Sequence, residues 1–86
     1  MAKVLVVFRI LPKSVNVDLN ELEEKIVNSI SPEKIEREPI AFGLIALKAS
    51  KLVEDKEGEI QRIEEKLNSI KLISQVEVVE VTRTLV

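Results

Sequence analysis

Apolar periodicity along this chain switches from two residues to three or four and back to two, and it does so twice within 86 residues. Residues 4–11 alternate, with Val4, Val6, Phe8 and Ile10 on one face and Leu5, Val7, Arg9 and Leu11 on the other, the pattern of a strand. Pro12 ends that run, and 13–17 reads as a loop. Asp18 stands where a helix N-cap belongs, with Glu21 three residues on to complete a capping box. Leu19, Leu22, Ile26 and Ile30 then follow at helical spacing, and Ser31-Pro32 stops them. A short strand is expected over 34–38 and a turn over 38–43.

The second half repeats this order. Ile45, Leu47 and Ala49 alternate with Leu44, Ala46 and Lys48 in a strand over 44–53, followed by a charged loop at 54–58. Ile60, Ile63, Leu67 and Ile70 return to helical spacing, and a last strand spans about 75–83. Its alternation slips at Val78-Val79, as at a β-bulge. The helices are similar in letters as well. Leu22-Glu23-Glu24-Lys25-Ile26 stands against Ile63-Glu64-Glu65-Lys66-Leu67, each followed soon by Asn-Ser-Ile. Duplication and convergence on one amphipathic pattern both account for that likeness.

Strand-helix-strand taken twice predicts an α+β, ferredoxin-like βαββαβ sandwich. It is a four-stranded antiparallel sheet of order 4-1-3-2 with two helices on one face. One ferredoxin-like domain over 1–86 is expected, since a chain of this length holds one core. That core should contain Val4, Val6, Phe8, Leu22, Ile26, Ile45, Leu47, Ile63 and Leu67. The topology puts the Pro39–Gly43 turn at one end of the sheet. The N-terminus, the 54–58 loop and the C-terminal tail go to the other.

Composition narrows the chemistry. Cys, His, Trp and Tyr are absent, which removes disulfides, thiolate nucleophiles, Cys/His zinc sites and the Ser-His-Asp triad. Thirteen Lys and Arg against 15 Asp and Glu leave a formal charge of −2, the wrong sign for a dedicated nucleic-acid backbone binder. Two glycines allow no phosphate-cradling loop. The open sheet face, with Leu5, Val7, Arg9, Leu11, Leu44, Ala46 and Lys48, offers no aromatic platform for RNA. No run approaches a membrane span, and Arg9 interrupts the apolar start too early for a secretory segment, so a cytoplasmic protein is expected. Glu23-Glu24 and Glu64-Glu65 read as solvated helix faces, with Glu21 spaced to pair with Lys25. Glu54, Asp55 and Glu57 lack the spacing of a calcium loop. No catalytic residue, metal or cofactor is expected.

Two features remain. One is Pro39-Ile40-Ala41-Phe42-Gly43, whose aromatic is either a core plug or an exposed anchor for a partner. The other is the tail, Arg83-Thr84-Leu85-Val86, either a frayed end or a basic tip reaching an anion site on another protein.

These residues carry a resemblance. Glu38-Pro39-Ile40-Ala41-Phe42-Gly43-Leu44, the opening Val4 to Pro12 followed by Val17-Asp18-Leu19, and the ending from Val76-Glu77-Val78 to Arg83 resemble the archaeal-type elongation factor 1-beta family. The likeness spans the whole chain, and Pro-Ile-Ala-Phe-Gly is its most specific part. It implies a translation factor that catalyses no covalent chemistry and exchanges GDP for GTP on the GTPase elongation factor 1-alpha. Such a factor binds the nucleotide-free GTPase and disturbs its magnesium and phosphate site. By that resemblance Pro39, Ile40, Phe42 and Gly43 at one end, and Arg83, Thr84, Leu85 and Val86 at the other, are the partner-binding residues. Eukaryotic members carry a lysine near the C-terminus that enters the magnesium region; here Arg83 and the three residues after it stand in that neighbourhood. The implied partner is a protein, with no direct nucleic acid or membrane, and the free factor is expected to be monomeric. Two other classes stay open on the residues alone: a small-ligand-binding regulatory module, and a homo-oligomer joined through the aliphatic sheet face.

Overall fold

A computed structural model describes residues 2–83. Strands β1 (Lys3–Pro12), β2 (Lys34–Pro39), β3 (Ile45–Glu54) and β4 (Ile73–Arg83) are joined by helix α1 (Leu19–Ile30) between β1 and β2 and helix α2 (Glu59–Asn68) between β3 and β4. The strands pair antiparallel in the order β2-β3-β1-β4, which makes the ferredoxin-like arrangement expected from the periodicity.

Strand β1 alternates buried and half-buried along its length. Its buried set, Val4, Val6, Phe8 and Ile10, shares one core with Leu22, Ile26 and Ile30 of α1 and Ile63 and Leu67 of α2. Both helices therefore cover the same face, and Leu47, Ala49, Val53 and Ile73 complete the cluster. Ile45 departs from expectation. It has the right parity but is half-buried, outside the core cluster, because it opens β3 opposite Pro39 where the sheet ends.

Local chemistry sets the element ends. Asp18 Oδ1 accepts from the backbone N–H of Asn20 (2.9 Å) and Glu21 (3.3 Å), capping α1. Ser31 closes that helix in the left-handed region, φ 47°, with its N–H donating to Val27 O. The slip at Val78-Val79 is a bulge: Val7 pairs with Glu80 and Phe8 with Val78, so Val79 has no partner across the ladder. A second irregularity lets β4 begin at Ile73, earlier than its alternation suggests. Ser74 is skipped there, and its hydroxyl donates to Leu11 O and Pro12 O, both at 3.3 Å.

The helix surfaces hold two departures from the expected solvated faces. Glu23 is half-buried and accepts from Arg37 Nε at 3.0 Å, while Arg37 Nη2 donates to Asn20 Oδ1 at 2.8 Å, tying β2 to α1. Glu21 and Lys25 do not pair within 4.0 Å, although their spacing permits it. Among the described residues no helix is long and apolar enough to cross a membrane.

Candidate functional site

The β2–β3 connection is tight. Ile40 N–H donates to Leu44 O at 3.0 Å, and Leu44 N–H donates to Ala41 O at 2.9 Å. Between them Phe42 has φ 55° and Gly43 φ 77°. Positive φ at both central positions marks the mirror-image turns whose twist matches that of a sheet. Gly43 adopts it freely. For Phe42 the Cβ crowds the following carbonyl, a cost of about 1–2 kcal/mol.

That strain is not offset by burial, because Phe42 is 100% exposed. The core-plug reading is thereby excluded. Ile40 is 44% exposed beside it, and Pro39 is exposed at the end of β2. Val15, 60% exposed, joins them from the β1–α1 loop, its Cγ1 4.0 Å from where a Cβ on Gly43 would stand. Sequence reasoning passed over Val15 as plain loop. The available signal was an apolar residue inside Lys13-Ser14-Val15-Asn16-Val17 that no helical or strand period explains.

At the opposite end of the sheet, β1 begins. Lys3 pairs in register with Glu54, and Val4 with Arg83. Asp55 N–H donates to Ala2 O at 3.1 Å, drawing the β3–α2 loop onto the N-terminal segment. Arg83 is 74% exposed, yet its guanidinium donates to the Asp55 carboxylate, so the expected basic tip is a tethered cation. Thr84, Leu85 and Val86 lie outside the described residues. The nearby cations are also engaged: Lys51 Nζ donates to Ser31 O at 3.0 Å and stands 4.0 Å from Glu33 Oε1, and Lys3 has a partner of its own. Among the described residues no three His, Cys, Asp or Glu side chains gather to hold a metal.

The open sheet face between the two ends is aliphatic at its base and dressed by long charged side chains. Arg9 on β1 reaches over β3 to Glu38 on β2 (Nε to Oε1, 3.1 Å) and also meets Glu77 on β4 (Nη1 to Oε1, 3.4 Å). Lys48 Nζ stands 3.9 Å from the other Glu38 oxygen. Ala46, opposite Glu38 in register, is fully buried under this band, and Leu5, Val7, Leu11 and Leu44 are half-buried. Long charged side chains thus cover apolar surface with their stems, as snorkelling residues do.

Two surface ion pairs shift the protonation of their members. The hydrogen bond from Arg62 holds the Glu59 carboxyl below its ordinary value, and the bond to Glu23 raises Arg37.

Comparison with known proteins places the chain in a family. Residues 5–84 match the family described as the EF-1 guanine nucleotide exchange domain. Elongation factor 1-beta of Methanosphaera stadtmanae is 43% identical, the alignment covering 96% of this chain and 98% of that protein. The proteins of the same name from Staphylothermus marinus (44%, covering 96% and 98%) and Pyrococcus furiosus (43%, covering 90% of each) are similarly close. With a family match over most of its length and relatives of this identity end to end, the chain belongs to the elongation factor 1-beta family of guanine nucleotide exchange domains.

Proposed function

We propose that this protein promotes exchange of GDP for GTP on elongation factor 1-alpha, gripping the GTPase with both ends of its sheet. The observation that carries the reading is Phe42, an aromatic held in a strained turn with its whole side chain in solvent. Strain persisting where nothing is buried in the free protein points to a surface made for a partner. Pro39, Ile40 and Gly43 shape that surface, and Val15 extends it.

Exchange needs no bond to be made or broken by this chain. By linkage, a protein that binds the nucleotide-free GTPase more tightly than the GDP-bound one lowers GDP affinity by the same factor. The Phe42 end supplies affinity. The Arg83 end, with Thr84, Leu85 and Val86 beyond it, supplies the discrimination: a cation brought near the phosphates competes with bound magnesium. Asp55 holds that cation in the free protein and must yield it, at small cost for a surface pair. The cytoplasm is the proposed place of action and a monomer the proposed free state. A homo-oligomer through the sheet face is the weaker alternative, because the Arg9–Glu38 band already covers that face.

The test preloads elongation factor 1-alpha with fluorescent GDP, adds excess unlabelled nucleotide and follows dissociation with and without this protein. Acceleration is expected at substoichiometric amounts, since the factor is released when new nucleotide binds. With a verified active GTPase, an unchanged dissociation rate would end the reading.

A further inference from the structure

The two Lys…Asn-Ser-Ile segments that make the helices resemble each other lie on the helix-covered side of the sheet. They meet across a groove of about 660 Å³ between α1 and the segment leaving α2. Lys25 and Ser29 line it from α1; Ser69 and Lys71 face them, with Ile70 and Leu72 supplying apolar surface. Lys66, the counterpart of Lys25 in the second segment, stands one turn before Ser69 on α2, and the backbone N–H of Lys13 donates to Leu72 O at 2.9 Å.

Charge pairing singles this place out. Eight of the chain's Lys and Arg residues pair with a carboxylate within 4.0 Å, and Lys3 has a partner of its own. Among the described residues the cations left over are Lys13, Lys25, Lys66 and Lys71, and two of these four, Lys25 and Lys71, line this groove. No carboxylate lines it. A second, smaller groove makes the contrast: it is lined by Lys3, Lys51, Lys56 and Arg62 but also by Glu54 and Glu59, and Lys56 and Arg62 pair with those two acids.

We infer that the groove between the helices docks an acidic, apolar-interleaved peptide segment of a partner protein, its carboxylates set between Lys25 and Lys71 and its aliphatic side chains on Ile70 and Leu72. Lysine ammonium groups and serine hydroxyls offer donors to carboxylate oxygens. Nucleic acid is the poorer occupant, because the chain is net negative and no aromatic lines the groove for a base to stack on. This inference stands apart from the exchange reading and survives its failure.

The test titrates the isotopically labelled full chain with a blocked hexapeptide of alternating glutamate and leucine, read by amide NMR shifts. A lysine–leucine peptide and an oligouridylate are titrated alongside. Saturating shifts are expected at Lys25, Ser29, Ser69 and Lys71 with the acidic peptide alone, weakening as salt screens the charges. Lys25→Gln combined with Lys71→Gln should weaken binding about tenfold, equivalent to about 1.4 kcal/mol, with the melting temperature unmoved because neither lysine has an ion pair to lose. Absence of saturable shifts at those four amides, an unaltered affinity in the double variant, or tighter binding of oligouridylate than of the acidic peptide would each overturn the inference.

Discussion

Phe42→Asn should make this protein more stable and less able to hold its GTPase. Phe42 occupies the left-handed region at φ 55° with its side chain wholly exposed. Removing the ring forfeits no burial in the free protein. Asparagine tolerates the left-handed region because its short amide bonds locally, so most of the penalty of about 1–2 kcal/mol for an ordinary L-residue is relieved. A net gain of about 1 kcal/mol follows. For a domain of this size that raises the melting temperature by about 4–8 °C.

The same substitution deletes the aromatic that the partner is proposed to cover. A central aromatic anchor is worth about 2 kcal/mol or more, roughly thirtyfold in dissociation constant. Scanning calorimetry on the free protein and isothermal titration against nucleotide-free elongation factor 1-alpha read the two effects separately. A melting temperature that falls refutes the strain argument, since it means the ring contributes packing. An affinity that stays put refutes the anchor.

Two further outcomes test the frame that holds these ends. Ile26→Ala, at a wholly buried core position on α1, should cost about 2–5 kcal/mol by denaturant unfolding; a loss under 1 kcal/mol would mean α1 is not packed as described. Arg62 holds the Glu59 carboxyl below its ordinary 4.5, so that pair contributes stability above pH 4.5 and loses it as the pH falls through the lowered value. Melts of the wild type and Arg62→Gln should therefore differ at neutral pH and converge at acid pH, and a gap that widens on acidification contradicts the pairing.

Residues whose position follows from period were legible in the sequence. Val4, Val6, Phe8 and Ile10 are buried because a strand alternates, and Leu22, Ile26 and Ile30 because a helix repeats. Even the bulge at Val79 left a trace in the sequence, a slipped alternation at Val78-Val79 that the register shift in the sheet explains. Ile45 had the right period and the wrong depth: alternation assigns a face but not the distance to the end of the sheet. The contacts of Arg9 with Glu38 and of Arg83 with Asp55 join residues 29 and 28 apart, and no local pattern encodes which distant carboxylate a long side chain will reach. Phe42 was ambiguous for a related reason. In a turn the side chain's direction is set by backbone φ, and the positive φ that drives this ring into solvent follows from the hydrogen bonds closing the hairpin around Gly43.

Whether the two ends act as one device is open to measurement, because they sit on a common frame. Strand β1 is paired to β3 from Lys3 to Ile10 and to β4 from Val4 to Pro12, which links the Arg83 end to the end from which the Val15 loop departs. On such a frame distant sites add independently in binding energy. Phe42→Asn together with removal of residues 83–86 should thus lower affinity for the nucleotide-free GTPase by the sum of the separate losses. Exchange kinetics should divide between them. Phe42 is proposed to contribute binding that does not depend on nucleotide, so its loss should raise the factor concentration needed for half-maximal exchange and leave the maximal rate. The tail is proposed to act only where magnesium and phosphate are displaced, so its loss lowers the maximal rate even at saturating factor. If Phe42→Asn lowers the maximal rate as much as the truncation does, the turn is part of the displacing machinery, and the division of labour between the ends is wrong.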